Sequence, residues 1–415
     1  MHILLNKIRW FFREYGIARG SLRIATEILY AITVPLYERY IMHHCSVKKD
    51  LILFVSKPSF SDNSKALYEY MLKSGHFKNN KFVWLVDWDF EIVQNYDRTT
   101  FIKTTSLYHT GFTFQAIKYI SQSAQLFYTH TSPLKSSRKK DGQLVVNLWH
   151  GSGYKKNSSS ESAFDAALVS GPIYVKEFSK AWHCNEEKIY PIGYPRYDWF
   201  CTTSKDACIY TEQIKRDATK LVMWMPTFRN TGKGIYAEEK LESSLELPLV
   251  AQISDIRKLD NFCRQHHIML CIKRHASQVI YLVEKEKFTN LVFISNVDFL
   301  VNRVNLYAFL SKTDALISDY SSAAVDYMLL NRPIAFVLDD YDEYARTRGF
   351  KFEHPLEYMP GHHLYQIADL YNFLDDVRNN VDRFGDARKN LMPSMHNECK
   401  CYCERIINEL HLHCK

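Results

Sequence analysis

The sequence predicts an α/β protein with two Rossmann-like, doubly wound domains facing a cleft, preceded by an N-terminal amphipathic helical segment. Three observations carry this. Short apolar runs alternate with helical stretches in two series, one from residue 51 and one from residue 221. That alternation implies parallel sheet built from βαβ units. A polar stretch at about 201–220 separates the series. The length of 415 residues suits two or three domains at about 150 residues each. The expected division is 1–49 helical, 50–205 first domain, 215–375 second domain and 376–415 terminal helices.

The first fifty residues are read as a membrane-associating segment. Leu4, Leu5, Ile8, Phe11, Phe12 and Tyr15 recur at helical spacing among Lys7, Arg9, Arg13, Arg19 and Arg23. A basic amphipathic helix of this kind suits a membrane interface. The longest uncharged apolar run, 28–37, lies between Glu27 and Glu38. It is half of the roughly 20 residues needed to cross a bilayer. The early charges argue against a secretory signal.

Strands are expected at 51–56, 82–86, 125–128, 144–148 and 166–169, then from 221 and at 268–272, 291–294, 315–317 and 334–337. Ser61-Asp62-Asn63-Ser64 reads as turn and cap chemistry before a helix at 65–73. A net charge of +7 suits an anionic substrate or lipid surface. No compact basic stripe with interleaved aromatics is present, so nucleic acid is not an expected partner. The ten cysteines form no regular framework, which points to a reducing cytoplasm. Cys399, Cys401 and Cys403, with His396, His411 and His413 nearby, lack zinc-finger spacing. They read instead as a terminal helix carrying Ile406, Ile407 and Leu410 on one face.

Chemistry-bearing residues follow the strands, where open α/β sheets bind ligands. His150 and Gly151-Ser152-Gly153 follow 144–148, with Lys155 and Lys156 next. A neutral imidazole there can take a proton from an attacking hydroxyl. Arg229 follows the strand from 221, and its planar fork suits a phosphate. Lys273, Arg274 and His275 close 268–272 as an anion site. Ser321 and Ser322 follow 315–317 and begin a helix, offering hydroxyls and free N–H groups. Asp326 reads equally as structural or as a ribose contact. Arg348, before Gly349 and Phe350, is placed at the cleft.

In order, these pieces resemble the CDP-glycerol glycerophosphotransferase family of teichoic acid polymerases and primases. The resemblance rests on Asn63 and Lys65 within Ser61 to Tyr70, Trp149-His150-Gly151 with Lys155-Lys156, and Gly193-Tyr194-Pro195-Arg196-Tyr197-Asp198. It continues through Met225 to Arg229, Lys273-Arg274-His275, Ser318 to Ser322, Asn331-Arg332-Pro333 and Arg348-Gly349-Phe350. It covers about residues 50–360 and implies a GT-B fold. By the same token, the acceptor lies at the first domain and the CDP donor at the second, with His150 and His275 catalytic. Arg229, Lys273, Arg274, Ser321, Ser322 and Arg348 would hold the donor phosphates. Gly151, Ser152, Lys155, Lys156, Asn63 and Lys65 would line the acceptor side.

The implied reaction moves glycerol phosphate from CDP-glycerol to a hydroxyl of a lipid-linked envelope or capsule polymer and releases CMP. The implied place is the cytoplasmic face of the membrane, held peripherally through residues 1–49. No metal site and no cofactor beyond the donor substrate are expected. Ser152-Gly153-Tyr154 stands where Thr-Pro-Leu is common in the family, which leaves CDP-ribitol and other CDP-alditols open. A GT-B glycosyltransferase using a nucleotide sugar, or a polymer-binding module without catalysis, are the competing readings. Two histidines at strand ends favour an enzyme, because binding alone needs no base.

Overall fold

Two parallel sheets organise the chain. A computed structural model describes residues 2–92, 94–104, 112–134, 139–157, 163–226, 247–250, 252–273 and 287–412, with backbone alone for 2–15, 17–20 and 23. The first sheet holds β1 (Lys48–Val55), β2 (Lys81–Val86), β3 (Thr99–Lys103), β4 (Ser123–Tyr128), β5 (Leu144–Asn147), β6 (Ala166–Leu168) and β7 (Ile189–Tyr190), in the order β3-β2-β1-β4-β5-β6-β7. The second holds β8 (Lys220–Trp224), β9 (Ile268–Lys273), β10 (Leu291–Ile294), β11 (Ala315–Ser318), β12 (Ile334–Val337) and β13 (His362–Leu364), in the order β10-β9-β8-β11-β12-β13. Every recorded pairing is parallel. Strands covered on both faces need near-continuous apolar sequence, and the buried stretches Leu51 to Phe54 and Leu221 to Trp224 supply it.

The N-terminal helix runs His2–His44 and changes direction at Gly16, where φ is 74°. The expected stripe from Leu4 to Tyr15 lies where only the backbone is described. The helix at Asp62–Lys73 starts earlier than its sequence suggests. Ser61 occupies the N-cap position, but its hydroxyl donates to the Pro58 carbonyl rather than capping. The polar stretch 201–220 is not a loose connection. Ser204 caps a helix, Lys205–Lys215, that buries Ala207, Tyr210 and Ile214. Tyr210 packs on Phe299 and Phe309 of the second domain.

The C-terminal helices return to the first domain. The helix Gly385–Met395 lies against Gly171, where a Cβ would stand 2.3 Å from the Met395 carbonyl carbon. The Asp198 carboxylate accepts the N–H groups of Tyr402 (2.6 Å) and Cys403 (2.9 Å) at the start of the last helix. Cys403 is buried there, and Ile406 and Ile407 are buried on the same helix. The His396 ring bonds the Val325 carbonyl. Among the described residues no group of three His, Cys, Asp or Glu is placed to hold a metal; His413 lies outside them.

One buried ion cluster joins the domains. Arg196, 4% exposed, donates from Nη1 to Asp62 and from Nη2 to Asp326, each at 2.6 Å. Asp326 is wholly buried and also accepts the hydroxyls of Tyr197 and Tyr307. Burial opposes the guanidinium charge, but Asp62, Tyr307 and Asp326 outweigh it and hold Arg196 protonated. Asp62 and Arg196 belong to the first domain, Tyr307 and Asp326 to the second. Removing one partner of such a buried set strands the others, at a cost of about 3–5 kcal/mol. Arg196→Ala is therefore expected to lower the unfolding free energy measured in urea by an amount of that order, and with it the midpoint, with Asp326→Asn milder. An unchanged midpoint for Arg196→Ala would show that the domains do not depend on this pairing.

Candidate active site

The turn after β5 in the first sheet meets the start of the helix after β11 in the second, at Gly151 and Ser322. After β5 the backbone turns sharply. Trp149 takes a left-handed φ of 52°, and the Asn147 side chain accepts its N–H at 2.9 Å. Asn63, on the helix after β1, donates to the carbonyls of Leu148 (3.2 Å) and Trp149 (2.8 Å). The Trp149 ring is gripped by Phe178 and Trp182. His150 is thereby fixed at the strand tip, and Arg196 Nη1 binds its carbonyl at 3.0 Å.

His150 Nδ1 lies 3.1 Å from the Thr129 carbonyl. A carbonyl only accepts, so Nδ1 carries the hydrogen and, in the neutral ring, Nε2 keeps its lone pair. Burial pushes the His150 pKa below 6.5, the Thr129 bond and Asp62 oppose that shift, and Arg196 and Lys351 add to it. The ring of His130 stacks on it, centroids 4.1 Å apart and 7° from parallel. His130 bonds the Thr129 hydroxyl, and its outer face is open to solvent. Its pKa is also depressed, by lost solvation first and then by His150, Lys57 and Arg196, with Asp62 opposing. The buried His150 thus helps hold the stacked His130 neutral.

Gly151 needs to be glycine twice over. Its φ is 136°, and a Cβ would fall 2.3 Å from Ser322 Oγ. Gly153 lies under the Ser322 backbone N, 3.0 Å from an added Cβ. The loop after His150 then runs along the second domain. Lys155 bridges Phe350, Lys156 N–H bonds the Gly349 carbonyl at 3.1 Å, and Lys351 N–H bonds the Tyr154 carbonyl at 2.8 Å. Two motifs nearly 200 residues apart in sequence form one seam.

Several expected contacts sit differently. Asn63 and Ser152 are fully buried, so they brace the loop rather than face an acceptor. Ser152 Oγ bonds the Tyr194 hydroxyl at 2.6 Å. Lys65 lies on the surface near Glu69, above the Phe60 ring. Ser321 Oγ accepts from the Ala323 N–H, so its hydroxyl serves as a cap. The helix it caps is short, Ser322–Tyr327. Ser322 meets Gly151, and Arg348 is exposed at the end of the helix Tyr341–Thr347. Lys273 closes β9, its pKa lowered by burial. Ser318 Oγ is buried at the end of β11 with no hydrogen-bond partner among the described residues. Arg229, Arg274 and His275 lie outside the described residues.

Three residues of the site carry no signal that sequence reasoning used. Arg196 stood in a recognised motif without a role. His130 is a lone histidine at a strand end. Lys351 sits under the Phe178 ring and donates to the Lys155 carbonyl, and burial pushes its pKa down to about 7, with Glu177 opposing.

Known proteins share this architecture. The wall teichoic acid polymerase TagF superposes with a TM-score of 0.69 at 20% identity, over 94% of this chain and 96% of that one. A teichoic acid ribitol-phosphate primase of Bacillus spizizenii is 29% identical over 232 residues, 54% of each chain. The poly(glycerol phosphate) polymerase of Staphylococcus epidermidis is 27% identical over 82% of this chain and 48% of its own length. The teichoic acid glycerol-phosphate transferase of Staphylococcus aureus is 26% identical over 82% and 87%. The matches to the ribitol-phosphate primase and to two S. aureus ribitol-phosphate polymerases span 54%, 58% and 62% of those proteins. The profile of the CDP-glycerol:poly(glycerophosphate) glycerophosphotransferases matches residues 37–398, most of the chain. The chain belongs to that family.

Proposed function

We propose that this protein transfers a polyol phosphate, glycerol phosphate foremost, from its CDP-activated form to a hydroxyl of a membrane-linked teichoic-acid-type polymer. The observation that carries the reading is the fixed tautomer of His150. Its Nδ1 is committed to Thr129, so Nε2 is the atom presented as a base. The acceptor oxygen attacks the β-phosphorus and gives its proton to Nε2. The bond from that phosphorus to the bridging oxygen breaks, and CMP leaves with the electron pair. Relatives named for glycerol phosphate and a TagF variant soaked with CDPG support CDP-glycerol as donor. Relatives named for ribitol phosphate keep CDP-ribitol as the second donor to test.

The donor side of the reading is Lys273, Ser321, Ser322 and Arg348, with Arg229, Arg274 and His275. Positioning and charge neutralisation do most of the work in phosphoryl transfer. These cations take that role in the proposal, and no metal enters it. The N-terminal helix holds the protein peripherally at the cytoplasmic face of the membrane. Leu22, Ile28, Leu29, Ile32, Leu36 and Tyr40 on its outer side support this, each more than half exposed. Among the described residues no helix is long and apolar enough to cross a membrane.

The deciding assay is acceptor-dependent CMP release from CDP-glycerol and CDP-ribitol. His150→Ala is expected to lose about 10²–10⁴-fold in rate with the fold intact. Release of UDP or GDP from a nucleotide sugar, with none of CMP, would replace this reading by a glycosyltransferase. Because burial lowers the His150 pKa, the base stays neutral as pH falls through 6.5. The acid limb of kcat/KM is therefore expected below pH 6.5, and a midpoint above it would count against His150 as base. Activity is expected to survive excess EDTA; loss restored by Mg²⁺ would put a metal into the mechanism.

A further inference from the structure

A cavity of about 390 Å³ lies between the second half of the N-terminal helix and the helix Phe114–Gln122. Val34 and Pro35 line it from one side, Ile117 and Ile120 from the other, and the loop 132–134 after β4 closes one end. The helix is fastened on both sides of this space. Phe114 packs against the rings of Tyr30 (5.3 Å, stacked) and Tyr37 (4.9 Å, edge-on). Lys140 Nζ caps the carbonyls of Ile41 (3.0 Å) and Cys45 at the helix end. Fixed anchors hold the two helices apart around a mainly apolar groove that is partly open to solvent. The volume falls in the range of small-molecule sites.

Two further observations choose the occupant. Leu29, Ile32, Leu36 and Tyr40 recur every three or four residues on the same helix, with Leu22 seven residues before them, and all five are 52% to 65% exposed. Such a face is stable where hydrocarbon covers it. The cavity therefore lies directly beneath a surface suited to lipid. The loop at its end also leads to the reacting groups: Ser132 is two residues from His130, a span of at most about 7 Å.

We infer that this cavity holds a single hydrocarbon chain of the lipid-linked acceptor, with the anionic end of that lipid directed toward the His130–His150 pair. This rests on the reading of the acceptor as lipid-linked. The helix then does two things: its outer face rests on the bilayer, and its inner face draws one chain out of it. The loop 132–134 sets the distance from chain to base.

The test uses the full-length protein and a diazirine-bearing palmitic acid as probe, with crosslinks mapped by mass spectrometry. Labelling is expected on the cavity walls at Val34, Pro35, Ile117 and Ile120 and at 132–134. Val34→Trp, which fills the space, is expected to cut that labelling at least tenfold. It is also expected to raise KM for a lipid-linked acceptor at least fivefold, while KM for a soluble glycerol-phosphate oligomer stays unchanged. Ile117→Phe serves as the second filling variant should Val34→Trp lower the melting temperature. Ile32→Glu on the outer face is expected to weaken liposome binding and leave cavity labelling intact. Equal labelling of wild type and both filling variants, or crosslinks confined to the outer face, would overturn the proposal. Cavity labelling blocked by Val34→Trp in a protein that releases no CMP would sustain the cavity and sink the catalytic reading. Turnover with identical KM for both acceptors in wild type and Val34→Trp would do the reverse.

Discussion

The Arg196 guanidinium, held between Asp62 and Asp326, is the constraint on which the rest of the molecule depends. Its geometry admits little variation, because a planar fork must reach two carboxylates on two domains at once. Asp326 has no exposure and takes three donors, so its charge is balanced only while Arg196, Tyr197 and Tyr307 are all in place. A buried charge left without partners costs several kcal/mol. The two sheets are therefore set in one relative position by electrostatics as much as by apolar packing. The same guanidinium binds the His150 carbonyl, so domain placement and His150 placement are one event.

The turn after β5 shows what that placement is for. A left-handed Trp149 and a Gly151 that only glycine can occupy bring the chain tight against Ser322. Asn63 and Ser152 hold the turn from behind, which explains their complete burial. The imidazole that results is oriented by one carbonyl and kept neutral by burial and by nearby cations. Each of these is a fixed feature of the fold and needs no rearrangement when substrate binds. Such preorganisation is where phosphoryl transfer gains most of its rate.

The C-terminal helices finish the first domain although they follow the second in sequence. Asp198 receives two backbone N–H groups of the last helix, and Gly171 gives the preceding helix room to approach. The cysteines at 399–403 take part in this docking, with Cys403 facing the carbonyls of Ala66 and Pro195.

The sequence by itself determined the parallel two-sheet architecture, because strands covered on both faces must be written as apolar runs. It also placed glycine, histidine and basic residues directly after those runs, at the carboxyl ends of strands. The strands it left out, β3, β7 and β13, are all sheet edges. An edge strand is covered on fewer sides and carries the mixed pattern seen in Thr99 to Lys103. The stretch 201–220 looked like a linker because its helix buries only one side. Tertiary structure alone decided which named residues face the cleft. The family resemblance places Asn63, Ser152 and Lys65 all on the acceptor side, yet two are buried braces and one is a partly exposed lysine beside Glu69. Arg196, His130 and Lys351 acquire their chemistry only from partners far away in sequence. Burial and charge neighbours set a side chain's role, and those are properties of three-dimensional packing that no local pattern records.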